Sequence, residues 1–184
     1  VEKSAQQAAL EIGALFNIQD ENIQQAIKDQ QFKFANKVSG TSSDQMRAIV
    51  KSAFDDGKSL GELSDDIKAL GPKWSKGGRA DTIARTETAR AANGGAKLAY
   101  RQAGVVELRY TAILDGNTTE ICQALDGKIV GIEEKFLTAE EGFTLKNGKP
   151  ADLSYNDGVP NAGDAHPNCR STIVPVFEST ENGS

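Results

Sequence analysis

The chain has only two cysteines and one histidine among its 184 residues, and these scarcities close several routes. Two cysteines cannot build the dense disulfide framework that staples small secreted domains, so a reducing, intracellular site of synthesis is expected. With a single histidine, any mechanism or metal site that needs an imidazole must use His166. No apolar run approaches the ~20 residues that cross a bilayer, so no membrane partner is expected. The opening "VEKSAQQAALEIGALF" is amphipathic, carries acids and lacks the basic flank and cleavage site of a secretory signal. It fits a natural start no better than the cut end of a longer protein. There is no Walker loop, no GxGxxG after a strand, no HExxH and no GxSxG. Internal repeats and low-complexity tracts are absent too. An overall basic excess is also missing. The net charge is −5, whereas a protein that grips nucleic acid with its whole surface is basic overall, so any such contact must be local.

What is present is ordinary for a folded protein: 38% apolar and 26% charged residues, in a length that suits one sizeable domain or two small ones. The charge is uneven. Residues 1–104 hold 15 Lys/Arg and 13 Asp/Glu, and residues 105–184 hold 6 and 13.

The first half reads as helices. "NIQQAIKDQQFKFANKV" puts Ile23, Ala26, Ile27, Phe34 and Val38 on one stripe. "SSDQMRAIVKSAFDDG" does the same with Met46, Ile49, Val50, Ala53 and Phe54, opened by Ser42 or Ser43 as a cap and closed by Gly57. "SLGELSDDIKALGP" repeats the pattern with Leu60, Leu63, Ile67 and Leu70, capped by Ser59 and ended by Gly71-Pro72. After the break "KWSKGGRA" comes a long helix whose inner face is Ala84, Thr88, Ala91, Gly95 and Leu98, small enough for close packing. Gly94-Gly95 imply either such packing or a kink, since each costs roughly 1 kcal/mol in helix propensity.

Beyond Gly104 the period becomes two. "VVELRYTAIL" points Val106, Leu108, Tyr110, Ala112 and Leu114 one way and Glu107, Arg109 and Thr111 the other, a half-buried strand. "DGN" turns, "KIV" is a short strand, and "TLKNGK" carries a hairpin signal. Residues 142–167 form a long punctuated loop region, and "STIVPVF" closes as a strand that Pro175 confines to an edge or bulge. The fold class is α+β: a helical half with a long central helix, then a small irregular β-containing unit.

Three sets of residues carry possible chemistry. Cys122, His166 and Cys169 are zinc-type donors, and His166-x-x-Cys169 has the spacing of a turn gripping one metal. A fourth ligand would be Asp115, Asp126, Asp164 or a water. The same residues also read as two core thiols beside a turn histidine, as a Cys122–Cys169 crosslink formed on oxidation, or as a Cys–His nucleophile pair. In "RTETAR", Arg85 and Glu87 point to different helix faces. Arg85 can meet Asp81, and Glu87 can meet Arg90; a solvated face explains them as well. A sharper expectation pairs Glu87 with Arg170. Finally, Lys73, Lys76, Arg79, Arg85 and Arg90, with Trp74 among them, form the densest basic stretch, suited to phosphate contacts or stacking.

The blocks "ADTIARTETARAANGGAKLAYRQAG", "TTEICQALDGKIV" and "HPNCRSTIVPV", in that order, resemble the Mu F-like family of phage minor head proteins, also called head-morphogenesis proteins. The resemblance covers roughly residues 75–177 and divides the chain into a helical region (1–75), a Mu F-like module (76–177) and a polar tail (178–184). In that family the second block often reads C-x-x-C-x-x-L-D-G and the third H-P-N-C-R-C. Cys122, Leu125, Asp126, Gly127, His166, Pro167, Asn168, Cys169 and Arg170 match, while Thr119 and Ser171 stand where further cysteines would be. The resemblance thus implies a reduced set of metal ligands (Cys122, His166, Cys169), with a structural zinc as the cofactor it would take. It also implies a structural motif of Arg85, Glu87, Asp126, Gly127, Asn168 and Arg170. In the turn itself, Pro167 is expected to rigidify the chain and Asn168 to bond its own backbone.

What the resemblance implies about function is a non-enzymatic virion component, made in the bacterial host cytoplasm and placed inside the head near the portal vertex. Its partners would be portal and capsid proteins, and its work head assembly with a part in DNA packaging or delivery. One alternative is a protein that binds double-stranded DNA non-specifically through residues 73–90, led by Lys73, Lys76 and Arg79. Another is a Cys/His-dependent enzyme.

Overall fold

A computed structural model of the chain describes residues 40–153 and 158–177. The helical stripe expected over 23–38 and the polar tail lie outside the described residues. Helix α1 (Gly40–Asp55) buries Met46, Val50 and Ala53. Ser42 and Ser43, expected at its start, fall within this helix. Its end is set by Gly57 at φ 64°, which lets Gly57 N donate to the Phe54 carbonyl (3.3 Å) and Lys58 N to that of Ala53 (2.8 Å). Helix α2 (Leu60–Ala69) opens with a capping box: the Ser59 hydroxyl accepts from Glu62 N, and the Glu62 carboxylate accepts from Ser59 N. Leu63 and Ile67 are buried and Leu70 partly so, but Leu60, at the first helical position, is 46% exposed.

Gly71-Pro72 does end α2, and the proline then starts the short helix α3 (Pro72–Ser75), where its missing N–H costs nothing. A 3-10 turn (Lys76–Gly78) with Gly77 and Gly78 in the left-handed region leads into α4 (Arg79–Gln102). At 24 residues α4 is the longest helix described, about 36 Å by the usual rise. It runs unbroken through Gly94 and Gly95, of which Gly95 is buried and Gly94 half-buried.

Strand β1 (Glu107–Thr111) is the centre of a three-stranded antiparallel sheet ordered β2-β1-β5, with β2 at Ile129–Gly131 and β5 at Thr172–Val176. Leu108 lies opposite Val130 and Pro175, and Tyr110 opposite Ile173. Leu108 and Tyr110 face inward as their spacing predicts, but Val106 and Leu114 are each 63% exposed because the strand is shorter than the alternation suggested. Pro175 sits on β5, an edge strand, where a missing donor is tolerated. Between β1 and β2 lies the helix α5 (Glu120–Leu125). A second, two-stranded ladder joins β3 (Leu137–Thr138) to β4 (Gly158–Val159). Asn147-Gly148 makes the expected tight turn, flanked by a single bridge from Thr144 to Pro150.

Two hydrophobic cores share α4. Its first turns, through Ala80, Ile83 and Ala84, close over Met46, Val50, Leu63, Ile67 and Trp74. Further along, Ala96 and Tyr100 pack on the second core, formed by residues such as Leu108, Tyr110, Ile121, Leu125, Phe136, Val159 and Ile173. The mixed architecture is thus α+β, helices first and antiparallel strands after.

Candidate metal centre

Residues far apart in the chain meet beneath α4. Helix α5 turns Ile121, Cys122 and Leu125 inward, and its end is pinned to β1. The Asp126 carboxylate accepts from Ala112 N (2.8 Å), Gly127 N donates to the Tyr110 carbonyl (2.9 Å), and Tyr110 N donates to that of Lys128 (2.9 Å). Gly127 has φ 78°, a left-handed conformation that glycine adopts without strain. Asp126 and Gly127 therefore hold Tyr110 and Cys122 in register with one another.

From the other side comes the corner 166–171. Asn168 alone among the described non-glycine residues has positive φ (59°), a region asparagine tolerates. Its side chain does not bond its own turn, as expected from sequence, but donates to the Thr82 hydroxyl of α4 (3.3 Å), while its N–H donates to the Thr86 hydroxyl (3.0 Å). Asn93, one face further along α4, donates to the Ser171 carbonyl (3.2 Å) and accepts from Ile173 N (3.0 Å). The corner and the start of β5 are together bolted to the long helix by four hydrogen bonds.

These supports bring Cys122, His166 and Cys169 together, with their donor atoms all within 4.8 Å of one another. The two sulfurs are 3.7 Å apart, and His166 Nε2 lies 3.1 Å from Cys122 Sγ. The Tyr110 hydroxyl sits 3.3 Å from Cys122 Sγ and 3.7 Å from Cys169 Sγ. Both cysteines are buried and unbridged. Their sulfur chemistry is split: the bond from the Cys122 thiol pulls the Cys169 thiol far down, and the same bond, with burial, pushes Cys122 far up. Burial also drives the Tyr110 phenol up. Burial works against the His166 cation, but the bonds to Cys169 and to the Pro167 carbonyl outweigh it and raise the imidazole. The group is a buried thiol pair with a half-buried imidazole at its rim. A shallow surface recess beside it, lined by Thr118, Thr119, Cys122, His166, Arg170 and Ser171 among others, is water-sized and no substrate cleft.

Other sequence-derived partners went elsewhere. None of Asp115, Asp126 and Asp164 joins the cluster. Asp115 binds Arg170 (2.6 Å), Asp126 binds Ala112 N (2.8 Å), and Asp164 meets Arg90 Nε (3.1 Å). Glu87 does not pair with Arg170. Its partner is Arg90 (3.1 Å), and both are buried, so the side of α4 that carries them is no solvated face. The reason is local. From Cys169 to Ile173 the extended chain alternates buried and exposed residues, which turns Arg170 outward, away from α4. Arg85 is exposed; with the Ser64 hydroxyl first and Lys68 next, its charge helps to hold Asp81 below the usual carboxylate range.

In the basic stretch Lys73, Lys76 and Arg79 are exposed, but Arg90 is buried and unavailable to a phosphate. Trp74 is 2% exposed, with Lys73 Nζ at 4.8 Å and the Arg79 guanidinium at 5.0 Å from its ring centroid, so it cannot stack on a base. Tyr110, Thr82, Thr86, Asn93 and Asp164 were missed as supports. The i, i+4 threonines on α4 were the only local hint, and by themselves they look like surface.

Comparison with curated proteins and with solved structures gave no match. The model of the family described as "Phage Mu protein F like protein" matches residues 44–174. That span takes in most of α1 and all of α2, which carry no motif of their own, as well as the site and its supports. With most of its length matched, the chain belongs to the Mu F-like family of phage head-morphogenesis proteins.

Proposed function

We propose that this chain is a non-enzymatic minor component of the phage head, lodged inside the capsid near the portal vertex, where it takes part in head assembly and in DNA packaging or delivery. Portal and capsid proteins are its partners. It is made in the host cytoplasm and carried into the virion. The family match carries this reading. The corner bolted to α4, with Cys169 and the facing Cys122 buried and only a water-sized recess beside them, supports a part built for shape over one built for turnover. Among the described residues no helix is long and apolar enough to cross a membrane.

A pull-down with the cognate portal protein tests the assembly role. Retention at low salt that weakens as salt rises is expected, because complementary charge steers docking. No retention at any salt removes the role. A Cys/His enzyme would instead show one thiol alkylating within minutes near neutral pH; two thiols that react only after unfolding are expected.

DNA contact is a second reading, supported by the exposed Lys73, Lys76 and Arg79 around α3. Phosphate contacts without stacking imply a gel shift that fades steeply with salt and leaves Trp74 fluorescence unquenched. Loss of the shift in the triple alanine variant is expected, and an unchanged shift rejects these residues as the contact.

A further inference from the structure

We propose that Cys122, Cys169 and His166 bind one zinc ion through two thiolates and one imidazole nitrogen, leaving a fourth coordination position open to solvent through the recess beside α5. The inference is independent of the assembly role.

The donor set excludes calcium and magnesium, which take oxygen ligands, and suits a soft or borderline ion. A Zn–S bond of ~2.3 Å gives a tetrahedral S···S edge of ~3.8 Å, and the two sulfurs stand 3.7 Å apart. The imidazole is set for the same centre. Its Nδ1 lies 2.7 Å from the Pro167 carbonyl, and an N–H donated there leaves the Nε2 lone pair directed at the sulfurs. Tyr110 adds an outer contact to both sulfurs, which orients thiolate ligands in the way a second layer of hydrogen bonds does around bound metals.

The fourth position is what separates this site from a closed structural one. No carboxylate joins the three donors among the described residues. The recess onto which Cys122 and His166 open has instead the hydroxyl residues Thr119 and Ser171 and the cation Arg170 in its wall. A water or a small anion fits there. The ion would tie α5 to the corner, joining residues 44 apart in the chain, and through the corner to α4.

The test uses the reduced chain, stripped with a chelator and titrated with zinc and separately with cobalt(II). One metal per chain is expected, with a thiolate-to-cobalt band, a d–d spectrum of four-coordinate strength, and a Tm that falls on stripping and recovers on reloading. Thiocyanate should shift the cobalt spectrum by entering the open position. Thr119→Cys places a donor one turn before Cys122 on α5, and should tighten zinc roughly tenfold or more and abolish the thiocyanate response. Reduced, folded chain that takes up no metal overturns the site, as does uptake that survives Cys122→Ser with Cys169→Ser. A cobalt spectrum blind to thiocyanate, with no gain in affinity from Thr119→Cys, overturns the open position.

Discussion

Asp115 and Arg170 illustrate how much exposure decides what an ion pair does. Both are substantially exposed, and the Arg170 guanidinium, with the Asn117 amide, holds the Asp115 carboxyl down to about 2. A depressed carboxylate contributes stability above its ordinary value of 3.8 and loses it as pH falls toward the folded value. Carbon NMR titration of Asp115 should follow that course, and in Arg170→Ala its midpoint should move back up. Glu87 and Arg90 are the opposite case, 4% and 3% exposed. Burial raises Glu87 even against the Arg90 charge beside it. Arg90→Met strands that carboxylate and should cost about 3–5 kcal/mol near neutrality. Because the folded value lies above the unfolded 4.5, the cost builds as pH rises through that window and shrinks as pH falls back to 4.5. Denaturant unfolding at two pH values measures it; a pH-independent loss would mean the packing of Arg90, not its charge, matters.

At the level of elements, α4 works as a spine whose polar residues are its attachments. Asn93 serves β5 in both directions, and it is buried, so truncation leaves a backbone N–H and a carbonyl without their partners. Asn93→Ala should cost roughly 2–4 kcal/mol and loosen the first residues of β5. Amide exchange at Ile173 is the readout, and unchanged protection there would show that the ladder to β1 holds β5 alone. Gly163 is the other device. Its φ is 86°, and a Cβ there would meet the Ala89 backbone at 3.3 Å, so only glycine lets the loop lie this close to α4.

At the scale of the whole molecule, the described residues form two cores strung on one helix, and each contains its own natural probe. Trp74 lies in the helical core, and Cys122 and Cys169 lie in the β-containing one. Because α4 enters both without a break, loss of either core removes the packing that stabilises half of that helix. The two should unfold together. Trp74 fluorescence and thiol accessibility are expected to give coincident denaturant transitions, and a gap between their midpoints would separate the cores into independent units. The acidic excess falls in residues 105–184, the strand-bearing end, and in the proposed assembly role that asymmetry is what orients docking.

The features legible in the sequence are those whose causes lie within a turn or two of chain. The cap at Ser59, the left-handed stop at Gly57, the alternation of Leu108 and Tyr110 and the edge strand marked by Pro175 all depend on near neighbours, and each is where its spacing places it. The sulfur and imidazole donors of the proposed metal centre can be named from the sequence too, since the chain has only two cysteines and one histidine. Tertiary structure alone decided which distant residues meet: Asn93 with Ile173, 80 residues on, and the Tyr110 hydroxyl with both sulfurs. It also decided that Arg170 looks outward to Asp115 while Glu87 is buried with Arg90. The reason is geometric. Periodicity tells which face of an element is buried, but the partner across that face depends on the angle and register at which two elements cross, and those are set by the packing of the whole core.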